Sequence, residues 1–296
     1  MKIKIILDSS SGLNKIEAEK LGWELMPLRT EINDISYENG VNMDTYEFAK
    51  IWKSNKKVDA RTSCTPPGDI TKMVDKYIEN YDKIIIYPIS KELSSQYSLL
   101  YNLYKDNEKV YIVPSRKISF LMVKDLLILE EELKNGKSFT EAIKVFDEPH
   151  ERLILIPEFN DALVKGGRLS KAAAVIAKLL KIVPIIKVEN GFLEKYGIGR
   201  VFRKTLTKTL KEIYEKEYKD DQNEMNDYHL IIMDAANDNI SEIAKELKES
   251  IGFKNAYNWI LSTDISVHTG IGAIAFAIIK VPNVIKEKFI SLFKKY

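Results

Sequence analysis

The segment Lys83 to Ile89 (KIIIYPI) constrains the chain most. Three consecutive isoleucines leave no polar side for solvent, so a strand made from them must be covered on both faces. Helical segments flank it. Asp69 to Asn80 places Ile70, Met73, Val74 and Ile78 at helical spacing, and Ser95 to Lys105 reads as a second helix. Lys109 to Val113 is a further short strand, followed by helices at Phe120 to Lys134 and Phe139 to Phe146. Upstream, Ile3 to Leu7 reads as a buried strand, Ile16 to Leu21 as helical and Trp23 to Leu28 as a short strand. Strand and helix alternating in this way imply parallel pairing and a layered α/β domain.

The polar segment Asp147 to Arg152 (DEPHER) interrupts the pattern, which places a domain boundary there: 1–150 and 151–296. The second half opens with a strand at Leu153 to Ile156, then helical turns at Ala172 to Leu180 and a strand at Val183 to Val188. Asn190-Gly191 is a hairpin signal, so that strand pairs antiparallel with the segment after Gly191. Arg200 to Lys219 reads as an amphipathic helix, His229 to Met233 and Asn258 to Leu261 as strands, and Ile240 to Glu249 as the helix between them. The last helices carry Lys286, Lys288, Lys294 and Lys295, read as a solvated face.

Composition excludes several classes. At 45% hydrophobic and 30% charged, the 296 residues have an ordinary globular balance. Basic residues exceed acidic ones by only two, which argues against a nucleic-acid binder. The single cysteine, Cys64, cannot form an internal disulfide, and no Cys/His spacing suggests zinc; a reducing cytoplasm fits. The apolar stretch at the N-terminus stops at Asp8, too early for a signal peptide. The longest uncharged apolar run, Ile265 to Ile279, falls short of the ~20 residues that span a bilayer.

Polar clusters come directly after the expected strands or precede helices, where open α/β sheets bind ligands. Asp8-Ser9-Ser10-Ser11-Gly12 comes after the first strand and fits helix capping as well as ligand binding. Arg61-Thr62-Ser63-Cys64-Thr65-Pro66-Pro67 is a proline-stiffened loop before a helix start, a place that attracts anions. Ile89 to Gln96 sets Ser94 and Ser95 at the next helix start. Lys165-Gly166-Gly167-Arg168-Leu169-Ser170 can hold an arginine at a defined angle. Val267-His268-Thr269-Gly270-Ile271-Gly272 puts a histidine before a glycine-punctuated apolar helix. Ser94 or Cys64 with His268 as base would give a hydrolase or acyltransferase, although the G-x-S-x-G elbow is missing. Neither a dinucleotide fingerprint nor a P-loop lysine is present.

Taken in order, DSSSGL, RTSCTPPGDI, ISKELSSQY, KGGRLS and HTGIGA closely resemble the motifs of the DegV family, which includes the fatty-acid-binding subunits of bacterial fatty acid kinases. The resemblance covers nearly the whole chain. It implies an N-terminal three-layer α/β/α domain with a parallel sheet and a C-terminal α/β domain with a mixed sheet, a long-chain fatty acid lying between them. It further implies that Thr62, Ser63, Ser94 and Ser95 hold the carboxylate, supported by Arg168, His268 and Thr269, and that Arg200 faces a separate ATP-binding kinase subunit. The bound fatty acid is then cargo, with no cofactor and no catalysis by this chain, and a transient contact with a membrane surface is compatible with such cargo. A regulatory protein for which the lipid is only a signal is a further reading. Two positions depart from the family pattern: Ser94-Ser95-Gln96 stands where Ser-Gly-Thr is usual, and Pro114 where an aspartate is usual.

Overall fold

The computed structural model describes residues 1–55, 58–149, 152–169, 175, 182–218 and 227–296. The helical turns expected at Ala172 to Leu180, apart from Val175, lie outside the described residues, as do His150 and Ser170. The chain forms two compact units that are not contiguous in sequence. The first comprises 1–125, 190–192 and 261–267, and the second 126–189, 193–260 and 268–296.

The first unit is built on a four-stranded parallel sheet of β1 (Ile3–Asp8), β2 (Glu24–Met26), β6 (Lys83–Tyr87) and β7 (Val110–Ile112), in the order β2-β1-β6-β7. Ile6, Ile84 and Ile86 pack against Ile70 and Val74 of α3 (Pro67–Ile78) and Leu100 of α4 (Gln96–Tyr104). Ile5, Leu7, Ile85 and Tyr87 alternate to the opposite face and are equally buried. Each such side chain contributes about 1.5–3 kcal/mol on burial, which is why this strand run tolerates no polar face. The helices α1 (Lys15–Lys20) and α2 (Thr45–Ser54) start at capping boxes, Asn14 with Glu17 and Asp44 with Glu47.

A second sheet was not expected from the sequence: β3 (Arg29–Ile32), β4 (Ile35–Glu38) and β5 (Ala60–Ser63) run antiparallel in the order β4-β3-β5. Its hairpin turns on Asn33 and Asp34, both at positive φ (49° and 66°) without the usual glycine. Thr62 and Ser63, read above as loop residues, therefore end a strand. The strand at Trp23 to Leu28 is also shorter than expected.

In the second unit a seven-stranded mixed sheet has the order β10-β9-β8-β13-β11-β12-β14. Its strands are β8 (Leu153–Ile156), β9 (Val183–Glu189), β10 (Phe192–Gly199), β11 (Tyr228–Asp234), β12 (Ala256–Ile260), β13 (Ile274–Lys280) and β14 (Lys294–Lys295). β11 and β12 pair in parallel, while β11–β13, β8–β13, β8–β9 and β12–β14 are antiparallel. Asn190 and Gly191 form the two-residue β9–β10 turn at φ 49° and 87°, a loop that can join only antiparallel neighbours. On one face, Leu206, Leu210 and Ile213 of α8 (Phe202–Glu217) and Ile243, Leu247 and Ile251 of α9 (Ile240–Ile251) cover Ile154, Leu230, Ile232 and Phe276. The expected parallel sheet in the first half and mixed sheet in the second are both observed.

Two expectations fail near the C-terminal end. After His268 the chain does not continue as a helix. The helix α10 (Thr263–Thr269) ends there, Gly270 and Gly272 adopt φ 88° and 86°, and the apolar run becomes β13. Between two neighbouring strands β13 needs no polar face, so periodicity could not separate it from a buried helix. Lys286 and Lys288 do lie on a helix, α11 (Asn283–Ile290), but Lys294 and Lys295 form the edge strand β14, where lysines suit an unpaired edge. Among the described residues no helix is long and apolar enough to cross a membrane.

Candidate functional site

In the first unit, Asp8 ends β1 completely buried. One carboxylate oxygen accepts from the Ser10 backbone N–H (3.1 Å) and from its hydroxyl; the other accepts from the Ile89 N–H just beyond β6 (2.6 Å). The capping reading of this cluster is thus what the geometry shows, and it ties the ends of two adjacent strands together. Ser9 accepts from the Leu28 N–H (3.1 Å) and donates to Asp264 (3.1 Å), a buried carboxylate that also receives Ser262 and Asn39. Burial, with the negative charge of Asp264 adding to it, pushes Asp8 up to about 7. Burial likewise pushes Asp264 up to about 6.

The Thr62 and Ser94 clusters are brought together. Fully buried Gln96, the first residue of α4, accepts the Thr65 N–H at 3.1 Å, and its amide nitrogen lies 3.5 Å from the Met26 sulfur. The Cys64 sulfur lies 3.3 Å from the Ser95 hydroxyl. Ser94 accepts from the Gln96 N–H at 3.2 Å and is half-buried, whereas Ser95 is exposed. No side chain caps α3, which starts after Pro66, and the N-cap residue of α4, Ser95, makes no capping bond. Two helix starts and their hydroxyls therefore converge on one loop pair. Oriented N–H groups and hydroxyls of this kind suit an anion.

Thr62 and Ser63 are not equivalent. Successive strand residues point to opposite faces. Thr62 shares the inner face with Thr30, its partner on β3, while Ser63 is exposed and donates to Glu31 (3.3 Å). Neither Cys64 nor Ser94 meets a histidine in this unit, which contains none.

In the second unit the Gly-Gly-Arg and His-Thr-Gly motifs meet. The helix α7 (Asp161–Gly166) ends at Gly167 (φ 66°), and Arg168 donates back to the Gly166 carbonyl at 2.7 Å. A Cβ at Gly166 would sit 3.0 Å from the His268 Nδ1, so any larger residue there requires the imidazole to shift by a few tenths of an ångström. Burial, reinforced by the Arg168 charge, lowers His268 to about 4, and the imidazole is neutral at physiological pH. The Thr269 hydroxyl is buried without a hydrogen-bond partner among the described residues. Arg200 is exposed immediately before α8.

Sequence reading missed Gln96, Thr30, Asp264 and the buried trio of Lys117, Asp125 and Tyr87, in which Lys117 meets Asp125 at 2.8 Å and Tyr87 donates to it at 2.7 Å. Lys117 lay in a stretch assigned to no element and carried no signal. Among the described residues no His/Cys/Asp/Glu group is arranged to hold a metal.

The DegV family model, described as an uncharacterised protein family, matches residues 2–281. A DegV domain-containing protein of Mycoplasmopsis pulmonis is 41% identical over 295 residues, 99% of this chain and all of that one. The chain belongs to the DegV family. Among solved structures, DegV from Bacillus subtilis, described as a fatty acid binding protein, superposes with a TM-score of 0.79 at 22% identity, covering 94% of this chain and 99% of that one. A stearic acid-binding protein from Eubacterium ventriosum gives 0.78 at 21%, with 94% and 98% covered. Both solved structures share the fold described above.

Proposed function

We propose that this DegV chain binds a long-chain fatty acid and presents its carboxylate to a separate ATP-using kinase for conversion to an acyl-phosphate. The observation that carries the reading is the convergence of the Thr62–Thr65 and Ser94–Gln96 segments at two helix starts without side-chain caps. Thr62 and Ser94 are its principal carboxylate donors, with Ser95 alongside. Ser63, on the opposite face against Glu31, enters the reading only through the family motif it matches. Arg168, His268 and Thr269 enter the reading through the family motifs they match, and Arg200 as an exposed contact for the kinase.

Hydroxyl and N–H donors hold a carboxylate without a formal countercharge beside it, which suits a carrier that must hand its cargo on. Affinity comes from the tail, at about 0.8 kcal/mol per buried methylene. The fatty-acid descriptions of these two solved structures support an acyl tail over a small anion.

Native mass spectrometry of the protein purified from cells tests the reading. An acyl-chain adduct, or uptake of added oleate or palmitate, is expected; a clean apo mass that takes up neither refutes it. Thr62→Ala with Ser94→Ala should weaken phosphoryl transfer to the bound carboxylate far more than it lowers the melting temperature; full acyl-phosphate formation by the double mutant would refute the site assignment. A serine- or thiol-directed activity probe that labels Ser94 or Cys64 would favour the hydrolase instead.

A further inference from the structure

Thr30 is fully buried, and its hydroxyl has no hydrogen-bond partner among the described residues. The large majority of buried side-chain polar atoms are satisfied, and one left alone destabilises a fold, so such a group calls for an absent partner. Its place in the sheet says where that partner belongs. Thr30 sits directly opposite Thr62 in the antiparallel β3–β5 register, and directly opposed side chains stand on the same face.

Alternation along both strands agrees. Thr30 and Ile32 are buried while Arg29 and Glu31 are not, and Thr62 is less exposed than Arg61 or Ser63. Opposed Cβ atoms lie about 4.5–5.5 Å apart. Two O–H···O bonds of about 2.7 Å allow one acceptor to serve hydroxyls at that separation. Thr62 itself lies three residues from Thr65, whose N–H is bound by Gln96.

We propose that Thr30 is a further headgroup ligand, forming with Thr62 a two-hydroxyl clamp for a carboxylate oxygen. This rests on the fatty-acid reading above and deepens it. The clamp selects for a head that accepts hydrogen bonds: a carboxylate is favoured, and an acyl chain ending in an ammonium is not.

The experiment is oleate titration of delipidated wild-type protein, Thr30→Val and Thr30→Ser, with melting temperatures of the ligand-free proteins. Valine keeps the branched shape and removes the hydroxyl; serine keeps the hydroxyl. The expected result is a loss of roughly tenfold to a hundredfold in affinity for Thr30→Val, the size of one hydrogen bond to a charged group. Thr30→Ser should stay within about threefold of wild type, since it keeps that bond. Thr30→Val without ligand should melt at or above wild type, because it removes an orphaned hydroxyl. Wild-type affinity in Thr30→Val overturns the clamp, as does a ligand-free Thr30→Val that melts well below wild type. Wild-type protein that takes up no oleate overturns the fatty-acid reading itself, a result distinct from either.

Discussion

Gln96→Leu is the sharpest perturbation of the candidate site. Leucine has a similar volume and removes only the amide that joins the two hydroxyl-bearing segments. The Thr65 N–H, now bound by Gln96 at 3.1 Å in a buried setting, is left without an acceptor. An unsatisfied buried donor costs about 1–3 kcal/mol, because its bond to water is not restored. At about 2–4 °C per kcal/mol for a unit of this size, a loss near 2 kcal/mol lowers the melting temperature by roughly 4–8 °C. Calorimetry of the ligand-free protein measures that term.

Binding separates position from stability. With the Thr62 and Ser94 segments no longer held in register, affinity for oleate should fall at least about tenfold, or 1.4 kcal/mol. A variant that melts within about 1 °C of wild type and binds oleate equally would show that the Gln96 link positions nothing, and the convergence argument would fail with it.

Three further outcomes are expected. Lys117→Met alone should cost about 3–5 kcal/mol in chemical denaturation by stranding the buried Asp125, whereas Lys117→Met with Asp125→Leu and Tyr87→Phe, which also removes the phenol that donates to Asp125, should recover most of that loss; equal losses would contradict this. The two units should respond oppositely to pH in hydrogen-exchange protection. The folded Asp8 and Asp264 retain protons that the unfolded chain releases near 4, so their contribution to the first unit weakens as pH rises toward about 7. His229 and His268, lowered to about 4, must stay neutral where the unfolded chain protonates near 6.5, so the second unit weakens as pH falls from 6.5 to 4; slopes of the same sign in β6 and β11 would refute the assignment. Gly191→Ala should destabilise by about 1–2 kcal/mol or more, read from the unfolding midpoint, since it combines φ 87° with a Cβ 2.5 Å from the Ser90 oxygen.

The sequence was legible where one physical signal dominated. Lys83 to Ile89 could only be a doubly covered strand, Phe120 to Lys134 matches the helix α5 (Phe120–Lys134), and Asn190-Gly191 marked its hairpin. It misled where two structures share a pattern: Ile274 to Ile279 is apolar throughout, and only its neighbouring strands decide for β over helix. The β3–β4 hairpin was hidden because Asn33-Asp34 turns without glycine. At the candidate site, hydroxyls at helix starts were visible as residues, but not which face each would take. Thr62 and Ser63 are adjacent in sequence and opposed in space. Ser95-Gln96 stood out only as a departure from the usual Gly-Thr, yet the Gln96 side chain is the one joining the two segments.

The contact between Ser9 and Asp264 spans 255 positions of chain, and that separation has a kinetic consequence. At about 5–20 residues per second, a ribosome needs roughly 13–50 s to travel from one partner to the other. From the emergence of β7 until residue 264 is made, the first unit has its parallel sheet but lacks the Asp264 carboxylate to which Ser9 and Asn39 donate. Its polar centre closes only after most of the second unit has emerged. Fragments cut after the first sheet would carry the strands and still lack a finished interior, and chaperones would meet the nascent chain in that open state.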